Sequence, residues 1–314
     1  MDWKNIIMDI EILLLLQNFR NSLAGVLNEF FALITNIGVD YYIILIPLII
    51  YWVFDKKKGM FIFLCHGLSL IANALLKSTF CVYRPWIRDS RVEPLESVVA
   101  GASGFSFPSG HSTSVSSVYS PIIKLYKNKK ITIFCIVMIA LTMFSRLFVG
   151  VHTPQDVLVG LLLGIVAMYI ISFISNYLEK NPNKDTLVFV IATLFTIITL
   201  LYVGLKSYPM DYVNGKLLVD PASMKINSFK DPGTFYGIVL AWYLDRKIFK
   251  TDISGTAIQK TIRAIFGALL MIAYYSIVVN AIGGLIRINI IYFLLKVSVP
   301  VLFINIYPLT WSKK

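Results

Sequence analysis

What most constrains this chain is a succession of apolar runs, roughly 15–22 residues each, separated by polar connections. A run of that length crosses a hydrocarbon core of about 30 Å as a helix, and in lipid only helices and closed barrels satisfy their own backbone groups. The runs lack the alternation of barrel strands, so the sequence predicts an all-α, polytopic transmembrane bundle. Composition agrees: 57% of the 314 residues are hydrophobic and 15% charged, against about 45–50% and about 25% in a soluble domain.

Helical spans are expected at roughly 40–54, 59–80, 111–126, 131–149, 155–176 and 185–205, followed by three more at roughly 233–249, 257–280 and 288–309. Residues 1–36 carry Asn18, Arg20, Asn21 and Glu29 between apolar patches and read as an amphipathic, interfacial or re-entrant segment. Residues 37–205 then form a six-helix core, and 206–314 hold a polar loop and about three further helices. Loop 206–231 has no predicted structure, and Asp231-Pro232-Gly233 reads as a helix start with Asp as N-cap and Pro in the first turn.

The net charge is +12. Its lysines and arginines cluster at 55–58, 124–130, 180–184, 246–250 and 313–314, one connection in every two, which marks those as cytoplasmic and argues against nucleic acid as a partner. The segments 82–108, 146–154 and 206–231, and the turn near Arg287, are then expected on the opposite face. Cys65, Cys81 and Cys135 have no metal-binding or disulfide spacing and read as packing residues. Nothing at the N-terminus resembles a cleavable signal, so none is expected.

Three clusters fall at the non-cytoplasmic ends of these helices. The first is Lys77-x6-Arg84-Pro85, with His66, Ser69, Asn73 and Lys77 forming one polar stripe on a helix. Interhelical hydrogen bonding accounts for the first three, and snorkelling to headgroups is open for Lys77. Pro85 forces an extended Arg84, turning it back toward Lys77. The second is Pro108-Ser109-Gly110-His111, where a loop opens into a helix: unpaired N–H groups favour an anion, although the same residues serve as an ordinary N-cap. The third is Ser145-Arg146-x5-His152-Thr153-Pro154-Gln155-Asp156, in which Asp156 is placed either to hold the His152 imidazole or to close a capping box with Thr153. Three cations, two histidines and a carboxylate suit phosphoryl transfer through histidine. No cluster of Asp, Glu, His and Cys resembles a metal site, and no cofactor is expected.

In order, spacing and membrane face, the three clusters resemble the signature of the type-2 phosphatidic acid phosphatase superfamily over roughly residues 40–205. The resemblance implies that Lys77, Arg84 and Arg146 hold phosphate with Ser109 and the Gly110 N–H. It makes His152 the nucleophile, His111 the general acid and Asp156 the residue that fixes His152. The implied activity is a metal-independent lipid phosphatase of the plasma membrane, acting through phosphohistidine at the face away from the cytoplasm. Its substrate would be a polyprenyl diphosphate such as the undecaprenyl carrier, phosphatidic acid, phosphatidylglycerol phosphate, or a phosphorylated sphingoid or lipid A-like molecule. A lipid phosphotransferase and a non-catalytic lipid-phosphate binder or transporter are the alternatives. The C-terminal helices are open to three uses: a lipid entry gate, a homodimer surface or a regulatory bundle.

Overall fold

The computed structural model describes residues 7–23, 25–37, 40–102, 104–213, 215–282 and 288–311. The expected turn near Arg287 and the lysines at 313–314 lie outside the described residues. Helices α1 (Ile7–Ser22) and α2 (Asn28–Ile37) precede α3 (Asp40–Ile49), which continues through a π-helical turn, Ile50–Phe54. Then come α4 (Lys56–Phe80), the short α5 (Pro85–Arg88) and α6 (Glu96–Val99), α7 (Gly110–Tyr126), α8 (Lys129–Phe148), α9 (Pro154–Lys180) and α10 (Asp185–Leu205). The two-residue strands β1 (Tyr212–Val213) and β2 (Lys216–Leu217) form a small hairpin before α11 (Pro221–Leu244). The chain closes with α12 (Ala257–Tyr274), α13 (Asn289–Pro300) and α14 (Tyr307–Leu309).

The predicted helix start at Asp231-Pro232 is incorrect. The helix begins eleven residues earlier, at a second copy of the same signature: the Asp220 carboxylate caps the N–H groups of Ala222 and Ser223, and Pro221 occupies the first turn. Pro232 lies inside the helix, so residues 221–231 are its polar first half rather than loop.

Among the described residues, six segments are long and apolar enough to cross a membrane: 56–88, 129–148, 154–180, 182–205, 257–279 and 289–309. Exposed Phe134, Leu162, Phe173, Ile198, Leu201 and Leu269 line the outward faces of α8, α9, α10 and α12. Helices α7 and α11, also expected to span, fall outside this apolar set and are inner helices: α7 has 17 residues and is serine-rich, and α11 carries Lys225, Lys230 and Asp231. Helices enclosed by other helices need no lipid-facing apolar surface.

Helix α4 is the hub. It packs against α7, α9 and α11, and it is far more buried than the peripheral α10. Close approach of α7 to α9 depends on Gly160 and Gly164. A Cβ at Gly164 would strike the Ser117 backbone nitrogen at 2.5 Å, and one at Gly160 the Ser109 carbonyl at 2.8 Å. Across the hub, Tyr51, Trp52, Phe63, Trp242, Phe303 and Tyr307 share one core, so the C-terminal helices pack directly onto the first half of the chain.

The bundle has two chemically distinct ends. At one, Lys56 bridges Asp245 at 2.7 Å, Lys58 lies over the Tyr126 ring, and Arg246 and Lys247 meet Asp185. At the other, α1 and α2 cover the 82–108 segment: Arg88 pairs with Asp9 at 2.9 Å, and Arg20 donates to the Glu93 carbonyl at 2.7 Å.

Candidate active site

Each of the three clusters is delivered by a helix end. On α4, His66 Nδ1 shares a hydrogen bond with Ser117 Oγ (2.8 Å) and Asn73 Nδ2 donates to Thr113 Oγ1 (2.9 Å), so the polar stripe ties α4 to α7. Lys77, one turn further on, turns inward instead of snorkelling. Its Nζ donates to the carbonyls of Pro108 (2.7 Å) and Phe105 (3.1 Å), fixing the segment that leads into α7. Cys81 ends α4 in the left-handed region, and Arg84 is extended ahead of Pro85, as the proline requires. The buried Arg84 guanidinium donates to Gly104 O (3.1 Å), Val151 O (3.0 Å) and His152 Nε2 (2.9 Å).

Ser109 is the N-cap of α7. Its Oγ accepts from the Ser112 N–H (3.4 Å) and hydroxyl (3.0 Å). A Cβ at Gly110 would meet no neighbour, and His111 follows in the first helical turn. From the end of α8, Arg146 Nη1 donates to Thr35 Oγ1 on α2 (2.8 Å), while its buried Nε has no partner. Gly150, at φ +75°, makes the turn that brings His152 back beneath Arg84.

The imidazole orientation follows from donor chemistry. Arginine can only donate, so Nε2 of His152 carries the lone pair and Nδ1 carries the proton. That N–H faces Asp156 Oδ2 at 3.2 Å. The same oxygen accepts from the Ser106 hydroxyl at 2.5 Å and from the Thr153 N–H at 2.8 Å. Asp156 therefore reaches back to the helix cap and also holds the histidine. Burial, then the charges of Arg84, Arg146 and Lys77, hold the His152 pKa well below 6.5 and keep the ring neutral.

A cavity of about 420 Å³ gathers Lys77, Arg84, Gly110, His111, Arg146 and His152. Asp156 stands behind His152, and Ser109 is absent from the lining, its hydroxyl engaged as the cap. Lys77 is bound by carbonyls and Arg146 by a hydroxyl, so the cavity offers positive charge that an anion can meet. Among the described residues, no group of three or more His, Cys, Asp or Glu could hold a metal ion.

Sequence reasoning missed several contributors. Nothing local marks Ser106 as a partner of Asp156, or Thr35, which reaches the site from the N-terminal segment. Met224, Asn227, Ser228, Lys230 and Asp231 of α11 form another wall, hidden because 206–231 read as loop.

The sequence profile of the PAP2 superfamily matches residues 58–181. A phosphatidylglycerophosphatase B from Bacillus subtilis is 33% identical over 174 residues, covering 50% of this chain and 80% of that protein. An undecaprenyl-diphosphatase from the same organism is 27% identical over 168 residues, covering 52% and 82% respectively. An undecaprenyl-diphosphatase from Sulfolobus acidocaldarius is 28% identical over 156 residues, covering 49% and 72%. No solved structure matches the chain.

Proposed function

The chain belongs to the PAP2 superfamily and is a membrane lipid phosphatase, and from that premise we propose that it cleaves the terminal phosphate of a polyprenyl diphosphate or phosphatidylglycerophosphate through a covalent phosphohistidine on His152. The observation that carries this reading is the His152 ring in the lining of the cation-rich cavity, its Nδ1–H held by Asp156 and its Nε2 lone pair accepting from Arg84.

The terminal phosphate enters among Lys77, Arg84 and Arg146, with the N–H of Gly110 in the first turn of α7 and the unpartnered Arg146 Nε as further donors. Arg84 transfers its hydrogen bond from Nε2 to a phosphoryl oxygen, and the freed Nε2 attacks phosphorus as the bond to the leaving oxygen breaks, that oxygen taking a proton from His111. The cations neutralise charge on the phosphoryl oxygens, and Asp156 stabilises the charged imidazole. Water, deprotonated by His111, then attacks phosphorus, releasing inorganic phosphate and restoring His152. The lysine-rich end around Lys56 and Lys58 faces the cytoplasm in this reading and the catalytic cavity faces away.

The test is phosphate release by purified protein in detergent from farnesyl diphosphate and phosphatidylglycerophosphate, beside His152→Ala. The wild type should release phosphate, and an acid-quenched reaction should contain acid-labile protein-bound phosphate that the variant lacks. Turnover by His152→Ala at the wild-type rate would sink the nucleophile assignment.

A further inference from the structure

Helix α11 lies outside the residues matched by the family profile, yet it forms a wall of the catalytic cavity. Met224, Asn227, Ser228 and Asp231 recur at i, i+3, i+4 and i+7, so they share one helix face. That face is pinned in place. Ser228 Oγ bonds Ser78 Oγ at 3.0 Å on α4, and the Tyr208 hydroxyl joins both, at 3.1 and 3.2 Å. Gly104, at φ +78°, leaves room for the Met224 sulfur where any side chain would collide with it. Beside this face, the Lys230 Nζ donates to Asn227 Oδ1 at 2.9 Å and lies 5.0 Å over the Tyr292 ring.

Among the described residues, the cavity lining carries four cations, Lys77, Arg84, Arg146 and Lys230, against one carboxylate, Asp231. The first three surround His152, by the causes that lower its pKa and by direct contact. Lys230 arrives from a different helix, on the α11 wall. We propose that Lys230, held by Asn227, binds a second phosphate carried by the leaving group, so that the enzyme prefers substrates with two phosphates to simple monoesters. This rests on the phosphatase reading. A diphosphate carries its second phosphate directly on the leaving oxygen, and a phosphatidylglycerophosphate carries it across a glycerol. A phosphatidic acid has no second phosphate and gives Lys230 nothing to bind.

The test measures kcat/KM for farnesyl diphosphate, dioleoyl phosphatidylglycerophosphate and dioleoyl phosphatidic acid in wild type, Lys230→Ala and Lys230→Arg. Loss of one charge-assisted contact should lower the ratio of diphosphate to phosphatidic acid kcat/KM by about tenfold in Lys230→Ala, mainly through KM, with Lys230→Arg recovering most of it. A loss that includes phosphatidylglycerophosphate identifies a pocket for either kind of second phosphate; a loss confined to farnesyl diphosphate identifies the bridged diphosphate. An unchanged ratio would overturn the proposal while leaving the phosphatase reading intact. Should the variants fail to fold, wild-type protein suffices: farnesyl methylenebisphosphonate should bind at least about tenfold tighter than a farnesyl monophosphonate by thermal shift. Equal binding would overturn the proposal even if no substrate were hydrolysed.

Discussion

At the scale of the residue, His152 is defined by what surrounds it. Asp156 Oδ2 collects three hydrogen atoms, from Ser106, Thr153 and the imidazole. Asp156→Asn replaces one of its acceptors with a donor and disfavours the Nδ1–H tautomer; kcat should fall on the order of a hundredfold or more, measured with the same lipid substrates. Thr35→Val removes the hydroxyl that bonds Arg146 and should raise KM several-fold with a smaller change in kcat. The lowered pKa of His152 sets the sign of a pH effect. The unfolded chain takes up a proton near 6.5 that the folded ring refuses, so this group costs stability as pH falls below 6.5 and costs nothing above it. For the same reason, protonation of His152 should not impose an acid limb on kcat/KM at or above pH 6.5, which a pH–rate profile checks; Arg146→Gln, by removing one of the repelling charges, should move that limb upward. The six charged and histidine residues of the site were legible because their spacing is chemical. Thr35 was not, because a threonine on an apolar helix has no meaning until tertiary packing places Arg146 beside it.

At the scale of the element, the site depends on how closely α7 and α9 approach, since α7 carries His111 in its first turn and α9 begins just after His152. Gly164→Val would force the two helices apart against the Ser117 backbone, at a cost on the order of 1–3 kcal/mol. The variant should melt earlier in detergent and lose activity even when folded, because the two histidines separate. Element boundaries were readable in the sequence wherever a cap or a proline coincided with the end of an apolar run, as at Thr153-Pro154. They failed at α11, where two Asp-Pro pairs compete. The hydrophobic run begins at the second pair, but the helix begins at the first, because Met224 and Ser228 find tertiary partners in the intervening polar turns. A polar half-helix looks like loop until the cavity it lines is known.

At the scale of the whole molecule, charge and chemistry are sorted to opposite ends. A cysteine introduced at the exposed Ser90 should react with an impermeant maleimide in intact cells, and protection there would invert the assigned topology. Chelation with EDTA should leave the rate within about twofold, since lysine and arginine supply the positive charge that meets the phosphate. Far from the cavity, Asp245→Ala would strand Lys56 and lower stability by about 2 kcal/mol while leaving turnover per folded molecule unchanged. The hub arrangement also bears on how the protein is made. Helix α4 is synthesised early, but Ser78 waits 150 residues for Ser228, and Trp52 waits 251 for the Phe303 carbonyl. A ribosome must therefore finish most of the chain before the inner wall of the cavity can close. Until then the nascent protein holds both histidines, and all three cations around them, in a chamber still missing one side.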